Sequence, residues 1–313
     1  MTFGTYAEEW LEVKKLEVGH SQLVAYKCCL KRLEPIFNTE IGEVTVKDIQ
    51  GVITALFERN PYTGKPTAKK TLRDIKMTAK QVFEYAINCR VISYNPANAV
   101  KIPRDAPKKT RRALTQDEMD KIIDTGHPLQ TFSMIALFAG LRRGELLALT
   151  WDDIDLVNGS ITVSKAVAFI RNQPIVKTPK TASGCRVVQI PTVLINYLKA
   201  INPKSGLVLG KIYTKTTWND AWKKYIDFLN IPDVTPHMLR HTACTMMIEA
   251  GMDVSSVRLQ MGHSDIQTTL AIYTHVTQQH RTNEVKKLDS YLKNEKKPTR
   301  TTQKQEYCPI CPQ

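Results

Sequence analysis

Apolar positions in the first hundred residues recur at helical spacing. "TYAEEWLEVKK" from Thr5 and "SQLVAYKCCLKRLEPIF" from Ser21 place them three and four apart, with Ser21 the expected N-cap of the second helix. "TVKDIQGVITALFERN" repeats the pattern, and Thr45 is its expected cap. "NPYTG", residues 60–64, reads as a turn from its Asn-Pro and its Gly. A longer helix is expected over Ala68–Asn88, burying Leu72, Ile75, Ala79, Val82, Phe83 and Ala86. "AVKIPRDAPKKTRRALTQDE" follows with two prolines, six cations and little apolar content, so it reads as an extended interdomain linker. Thr115, with Glu118 three residues on, makes a capping box that opens the second half.

The pattern beyond is mixed. Helices are expected over Gln116–Thr125, Pro128–Ala139 and Gly144–Leu149, followed by the turn "WDDIDLVNG". "SITVSKAVAFI" and "GCRVVQIP" alternate like strands, with "RNQP" and "KTPKTAS" as polar connections. From Thr192 the period is helical again to about Asn294. The expected fold is mainly α with a small antiparallel β-sheet: a helical first domain and an α+β second domain. The expected boundaries are 1–102 for the first domain, 103–113 for the linker and 114–280 for the second. A C-terminal helix over 281–297 and a tail over 298–313 complete the chain.

Charge changes this picture. The 313 residues carry a formal charge of +14, which favours polyanionic partners, nucleic acid first. Lys69, Arg73, Lys76 and Lys80 recur at i, i+4, i+7 and i+11, in a narrow arc beside the apolar stripe of the fourth helix. A solvated face is the ordinary alternative, but such faces mix both signs. Here Asp74 and Glu84 are the only acids between Gly64 and Val100, so phosphate contact is the preferred reading. With Lys108, Lys109, Arg111 and Arg112 in the linker, these cations form a basic seam suited to encircling a DNA duplex.

Composition narrows the class further. With 42% hydrophobic residues, no run approaches the roughly 18–20 apolar positions of a membrane span. The start, "MTFGTYAEEW", carries acids and lacks a signal-peptide core, so a cytoplasmic protein is expected. The seven cysteines are scattered and odd in number, a poor disulfide framework. Only Cys308 and Cys311 have ligand-like spacing, and a lone pair at the chain end reads as an incidental tail rather than a zinc site. No metal and no cofactor are expected, and no phosphate-binding Gly-rich loop is present.

Three segments carry chemistry. "FAGLRRGELLALTW" places Arg142 after an apolar helix end, with Glu145 three residues on. "VKTPKTASGCRVVQIP" puts Lys177 and Lys180 between two strands. "TPHMLRHTACTMMIEAG" places His237, Arg240 and His241 on one helical surface, capped by Thr235-Pro236. Each also has a bland reading: a surface ion pair, solvated lysines, a core histidine. Joined to His263 and Tyr273 in "GHSDIQTTLAIYTHV", they amount to a chemical proposal, the transfer of a phosphodiester onto a side chain. A tyrosine hydroxyl, with an ordinary pKa near 10, needs help to lose its proton. Two arginines offer planar donor forks to non-bridging oxygens, a histidine can relay the proton, and a lysine can protonate the leaving sugar oxygen.

These segments resemble the tyrosine recombinases of the phage integrase family. "GLRRGE" is similar to its first arginine box, "HMLRH" to its His-x-x-Arg box, and "MGHSDIQTTLAIYTHV" to the segment leading to its tyrosine. "PKT" aligns best with the lysine hairpin and points to Lys180. The likeness is close over Arg112–Leu292 and looser over Thr5–Pro103, and the ten-residue step from His263 to Tyr273 is similar to integrases of Gram-positive phages and conjugative transposons. Met261 stands where leucine is usual, a tolerable swap.

The resemblance implies a C-shaped clamp on double-stranded DNA core sites. It implies Arg142, Lys180, His237, Arg240, His263 and Tyr273 as catalytic residues, with Glu145 in support. The product would be a 3′-phosphotyrosyl link and a free 5′-hydroxyl, rejoined without ATP or metal. A homotetramer on synapsed DNA, monomer or dimer otherwise, and an accessory directionality factor are the implied partners; the amphipathic positions Val285, Leu288 and Leu292 are expected to dock on a neighbouring protomer, with packing in their own protomer the alternative. Many such integrases carry an additional strand-rich N-terminal domain for arm-type sites; here the helical pattern begins at Thr5, so binding at core sites alone is expected. The rivals are a type IB topoisomerase, a non-catalytic DNA-binding regulator, and a metal-dependent nuclease using Asp152, Asp153 and Asp155.

Overall fold

The structure is a computed structural model that describes residues 1–107, 112–178, 184–201 and 205–274. The chain divides into two compact units, Met1–Arg111 and Arg112–Gln313.

The first unit is helical, with α1 (Phe3–Glu17), α2 (His20–Arg32), α3 (Val46–Glu58) and α4 (Lys69–Asn88). Its spine is α4, whose Leu72, Ile75, Ala79, Val82, Phe83 and Ala86 are all fully buried, as their spacing predicts. Phe3 of α1 meets Phe83 with ring centroids 5.1 Å apart. Thr45 caps α3 in a capping box with Asp48. Ser21 does not cap α2: the helix begins at His20, and Gly19 holds the N-cap position with an extended backbone and no side-chain bond. The Gly19 carbonyl accepts from the Gln22 and Leu23 amides, so the N-cap position falls two residues before the serine.

The expected linker is also corrected. Residues up to 107 belong to the first unit: Ala106 is 4% exposed in its core, and the Pro107 carbonyl accepts from the Lys69 amide at 2.8 Å. On the far side, the Leu114 amide donates to the buried Thr242 hydroxyl at 2.9 Å, so the second unit takes hold almost at once.

The second unit holds α5 (Gln116–Ile123), α6 (Gln130–Ala139), α7 (Arg143–Ala148), α8 (Thr192–Ala200), α9 (Lys215–Leu229), α10 (Pro236–Glu249) and α11 (Val254–Met261). Residues 266–274 are helical as well. The Thr115–Glu118 capping box opens α5. Phe132 of α6 packs among Trp218, Trp222 and Tyr225 of α9 to make the aromatic centre of the core.

There are two small antiparallel sheets among the described residues rather than one. β1 (Ile154–Asp155), β2 (Ser160–Val163) and β5 (Arg186–Gln189) form the first, with Ile161 opposite Val188; β3 (Ala166–Ile170) and β4 (Gln173–Lys177) form the second. The run "SITVSKAVAFI" therefore breaks at Ser164-Lys165 and serves both sheets. The connection read as "RNQP" shrinks to Arg171-Asn172, both at positive φ, which is the geometry of a two-residue hairpin. Gly144 at the start of α7 lets this hairpin approach, since a Cβ there would lie 2.6 Å from the Val167 carbonyl oxygen.

"WDDID" is the turn its composition suggests. The Asp153 carboxylate accepts from the Thr150 amide and hydroxyl, and that of Asp155 accepts from the amides of Val157 and Asn158. No helix among the described residues is long and apolar enough to cross a membrane.

Candidate functional site

The site is built where three helix ends meet. α6 stops at Gly140, whose left-handed backbone (φ 67°) ends the helix; a Cβ there would lie 2.6 Å from the Met261 sulfur. Two residues on, Arg142 is the N-cap of α7 and is tied to Glu145. The Glu145 carboxylate accepts from the Arg142 amide at 2.8 Å and from its guanidinium Nη1 at 2.8 Å. The expected pair is therefore present, but not as an ordinary surface bridge: Glu145 is only 4% exposed.

α10 brings the second arginine. Thr235 caps it and Pro236 occupies its first turn. Arg240 is 3% exposed and donates to the Gly140 carbonyl and, through its other terminal nitrogen, to that of Met261. Both carbonyls lie at helix C-termini, where unpaired oxygens carry partial negative charge. Burial, followed by the nearby charge of Arg142, lowers the Arg240 pKa to about 9, which still leaves the guanidinium charged at neutral pH. Arg142 Nη2 donates to the carbonyl of Gly262, the residue after Met261. Two guanidiniums are thus anchored on consecutive carbonyls.

Gly262 closes α11 at φ 62° and turns the chain to His263. His263 Nδ1 lies 2.8 Å from the hydroxyl of Thr269, which is fully buried. Burial first, then the charges of Arg240, Arg142, Arg186 and His237, push the His263 pKa down to about 4. The imidazole is therefore neutral at pH 7 and surrounded by positive potential. Such surroundings favour an anion.

Tyr273 lies four residues beyond Thr269 on the helical segment 266–274, so the two share a face. Its half-buried ring packs against the apolar cluster of Cys244, Ile248, Val257 and Met261. His237 is exposed rather than a core histidine, and its charge reaches His263. Lys180 falls outside the described residues, as do Lys108, Lys109 and Arg111.

The expected DNA-facing cations are not equivalent. Lys76 Nζ donates to the Val100 carbonyl at 2.6 Å, and Lys69 Nζ to that of Arg104 at 2.9 Å, so both brace the segment after α4. Arg112 forks onto Glu118 with two bonds of 2.6 Å. Arg73 is exposed and Lys80 half-buried.

One residue of the site was not singled out from the sequence. Arg186 opens β5 and bonds both oxygens of Glu145, at 3.1 and 3.0 Å. The signal was in the alternation: Arg186 falls on the same face as buried Val188, and a cation there needs a partner.

Comparison with known proteins identifies the family and the fold. A model described as "Phage integrase family" matches residues 112–280, more than half of the chain. One described as "Phage integrase, N-terminal SAM-like domain" matches residues 2–57. A "Tyrosine recombinase XerC-like" protein of Caldanaerobacter subterraneus subsp. tengcongensis is 28% identical, over 92% of this chain and 83% of the relative. The ICEBs1 integrase of Bacillus subtilis is 27% identical, over 82% of this chain and 76% of its own length. Among solved structures, the Tn1549 transposon integrase in complex with transposon right end DNA superposes with a TM-score of 0.77 at 22% identity, covering 92% of this chain and all (100%) of that one. A lambda integrase tetramer bound to a Holliday junction gives a TM-score of 0.61 at 18% identity, covering 85% of this chain and 78% of that one. Because that first model covers more than half of the chain, residues 112–280, the chain belongs to the phage integrase family.

Proposed function

We propose that this chain is a tyrosine site-specific recombinase that cuts and rejoins double-stranded DNA through a covalent 3′-phosphotyrosyl intermediate. The observation that carries the reading is the anchoring of Arg142 and Arg240 on the adjacent carbonyls of Gly262 and Met261. Two planar forks held side by side match the two non-bridging oxygens of one phosphodiester. Burial, and after it their charge, suppresses protonation of His263. A phosphate between the guanidiniums offsets that repulsion and raises the basicity of the imidazole where a proton acceptor is needed.

In the proposed step the Tyr273 oxygen attacks phosphorus as its proton passes to the histidine pair, His263 or His237. The bond from phosphorus to the 5′ oxygen breaks, and Lys180 protonates that oxygen. The energy of the phosphodiester is kept in the phosphotyrosyl bond, so a 5′-hydroxyl of a partner duplex reverses the attack without ATP. Arg73, Lys80 and the linker cations Lys108, Lys109 and Arg111 contact DNA phosphates, and four protomers assemble on synapsed sites. An accessory factor sets direction.

The test is a pair of supercoiled plasmids carrying the joined ends of the element and its vacant target. Recombinant junctions formed without nucleotide support the reading. Relaxation of supercoils without exchange would support a type IB topoisomerase, and binding without strand cleavage a regulator.

A further inference from the structure

The cleavage chemistry as proposed uses Arg142 but gives no role to Arg186, a buried cation one strand away. Its side chain is 7% exposed. Nη1 and Nη2 donate to the two oxygens of Glu145 at 3.1 and 3.0 Å, and Nε donates to the Gln260 carbonyl at 3.0 Å. The same side chain lies so close beneath Gly262 that a Cβ there would come within 2.9 Å of its Cδ, Nε and Cζ. The Gln260 side chain adds a second fastening, donating to the Gln189 carbonyl and accepting from the Gln189 amide at 3.2 Å. β5 is thus tied at both ends to the last turn of α11.

One carboxylate stands between two guanidiniums of different exposure. Arg186 is enclosed, whereas Arg142 is 43% exposed. A fork-to-fork pair fixes the plane of a carboxylate as well as its position. With that plane set by Arg186, the Glu145 oxygens offer Arg142 one direction only.

We infer that Arg186 is a positioning residue: through Glu145 and the Gly262 turn it sets the direction in which Arg142 presents its guanidinium to the scissile phosphate. The inference rests on the proposed role of Arg142 in holding that phosphate.

The experiment measures covalent adduct on a nicked suicide duplex for the full chain and for R142A, R186M, R186K and R142A/R186M. Each is assayed with an ordinary phosphate and with a methylphosphonate at the cleavage position. R142A is expected to lose roughly 100-fold or more in cleavage rate, and R186M roughly 10- to 100-fold, the usual effect of an orienting partner. Binding to intact duplex stays unchanged. R186K keeps the charge without the fork and falls between wild type and R186M. The methylphosphonate carries one fewer negative oxygen, so it restores R186M and R142A relative to wild type, which loss of packing alone would not produce. The double variant is no slower than R142A.

Wild-type cleavage by R186M or R186K overturns the inference, as does a loss that multiplies with that of R142A, or a loss the methylphosphonate leaves untouched. If R186M fails to fold by thermal melting, R186K carries the same three readouts. Wild-type cleavage by R142A would overturn the role of Arg142 itself; an inactive R142A beside an unimpaired R186K overturns only the positioning role.

Discussion

Replacing Gly262 with alanine perturbs the point where α11, β5 and the first arginine meet. Two costs follow from the structure. At φ 62° the residue is in the left-handed region, where a Cβ costs about 1–2 kcal/mol. The added Cβ would also stand 2.9 Å from three atoms in the middle of the Arg186 side chain. That side chain cannot swing aside cheaply, because its guanidinium is pinned on Glu145 and Gln260. Breaking a buried pair costs about 3–5 kcal/mol, and here somewhat less, since Arg142 still holds Glu145. The sum is about 3–5 kcal/mol, which lowers the melting temperature of a unit this size by roughly 10 °C. Gly251 is the control: it also has positive φ, 84°, but a Cβ there meets nothing within 4 Å. Gly251→Ala should therefore show the backbone cost alone, about 1–2 kcal/mol. Scanning calorimetry of both variants checks this. A Gly262→Ala protein that melts with Gly251→Ala would refute the claim that Arg186 is wedged beneath the turn.

Other predictions separate charge from packing. Arg142→Ala should leave stability near wild type while cleavage falls by roughly 100- to 1000-fold, whereas Arg240→Ala should also cost about 2–4 kcal/mol in denaturant melts because it strands two buried carbonyls. Glu118 is held at a pKa of about 2, chiefly by the Arg112 fork, against an ordinary 4.5. A depressed carboxylate stabilises above its unfolded value and loses that contribution as pH falls from about 4.5 to 2, so Glu118→Gln should flatten the acid limb of stability against pH over that window. For DNA affinity, Arg73→Ala/Lys80→Ala should reduce the slope of log K against log salt by roughly 1.8, about 0.9 per phosphate contact; Lys76→Ala should instead destabilise the first unit by about 1–2 kcal/mol, since its ammonium is spent on the Val100 carbonyl.

What could be read from the sequence was local. The capping boxes at Thr45 and Thr115 and the buried stripe of α4 depend on residues within a few turns of one another, and the structure has them as spaced. Ser21 failed because a glycine carbonyl two residues earlier started the helix first, a competition that spacing does not reveal. The break at Ser164-Lys165 was hidden because the alternation runs on unchanged while the partner strand changes from β5 to β4. Arg142, His237, Arg240 and His263 were singled out through motifs, yet Arg240 is fixed by the carbonyl oxygens of Gly140 and Met261, and Arg142 by that of Gly262 as well as by Glu145. Backbone oxygens have no sequence signature. Lys69, Lys76 and Arg112 show the converse: a row of cations reads alike whether it meets phosphate or the protein's own oxygens.

The proposed reaction requires Tyr273 to form the covalent bond to DNA. The direct measurement is a suicide substrate, nicked so that the cleaved strand diffuses away, followed by protease digestion and mass spectrometry of the trapped adduct. One modified peptide is expected, carrying the nucleotide through its 3′ phosphate on Tyr273, with no adduct from Tyr273→Phe although that variant binds the duplex as wild type does. An adduct on any other residue, or one that still forms with Tyr273→Phe, would contradict it.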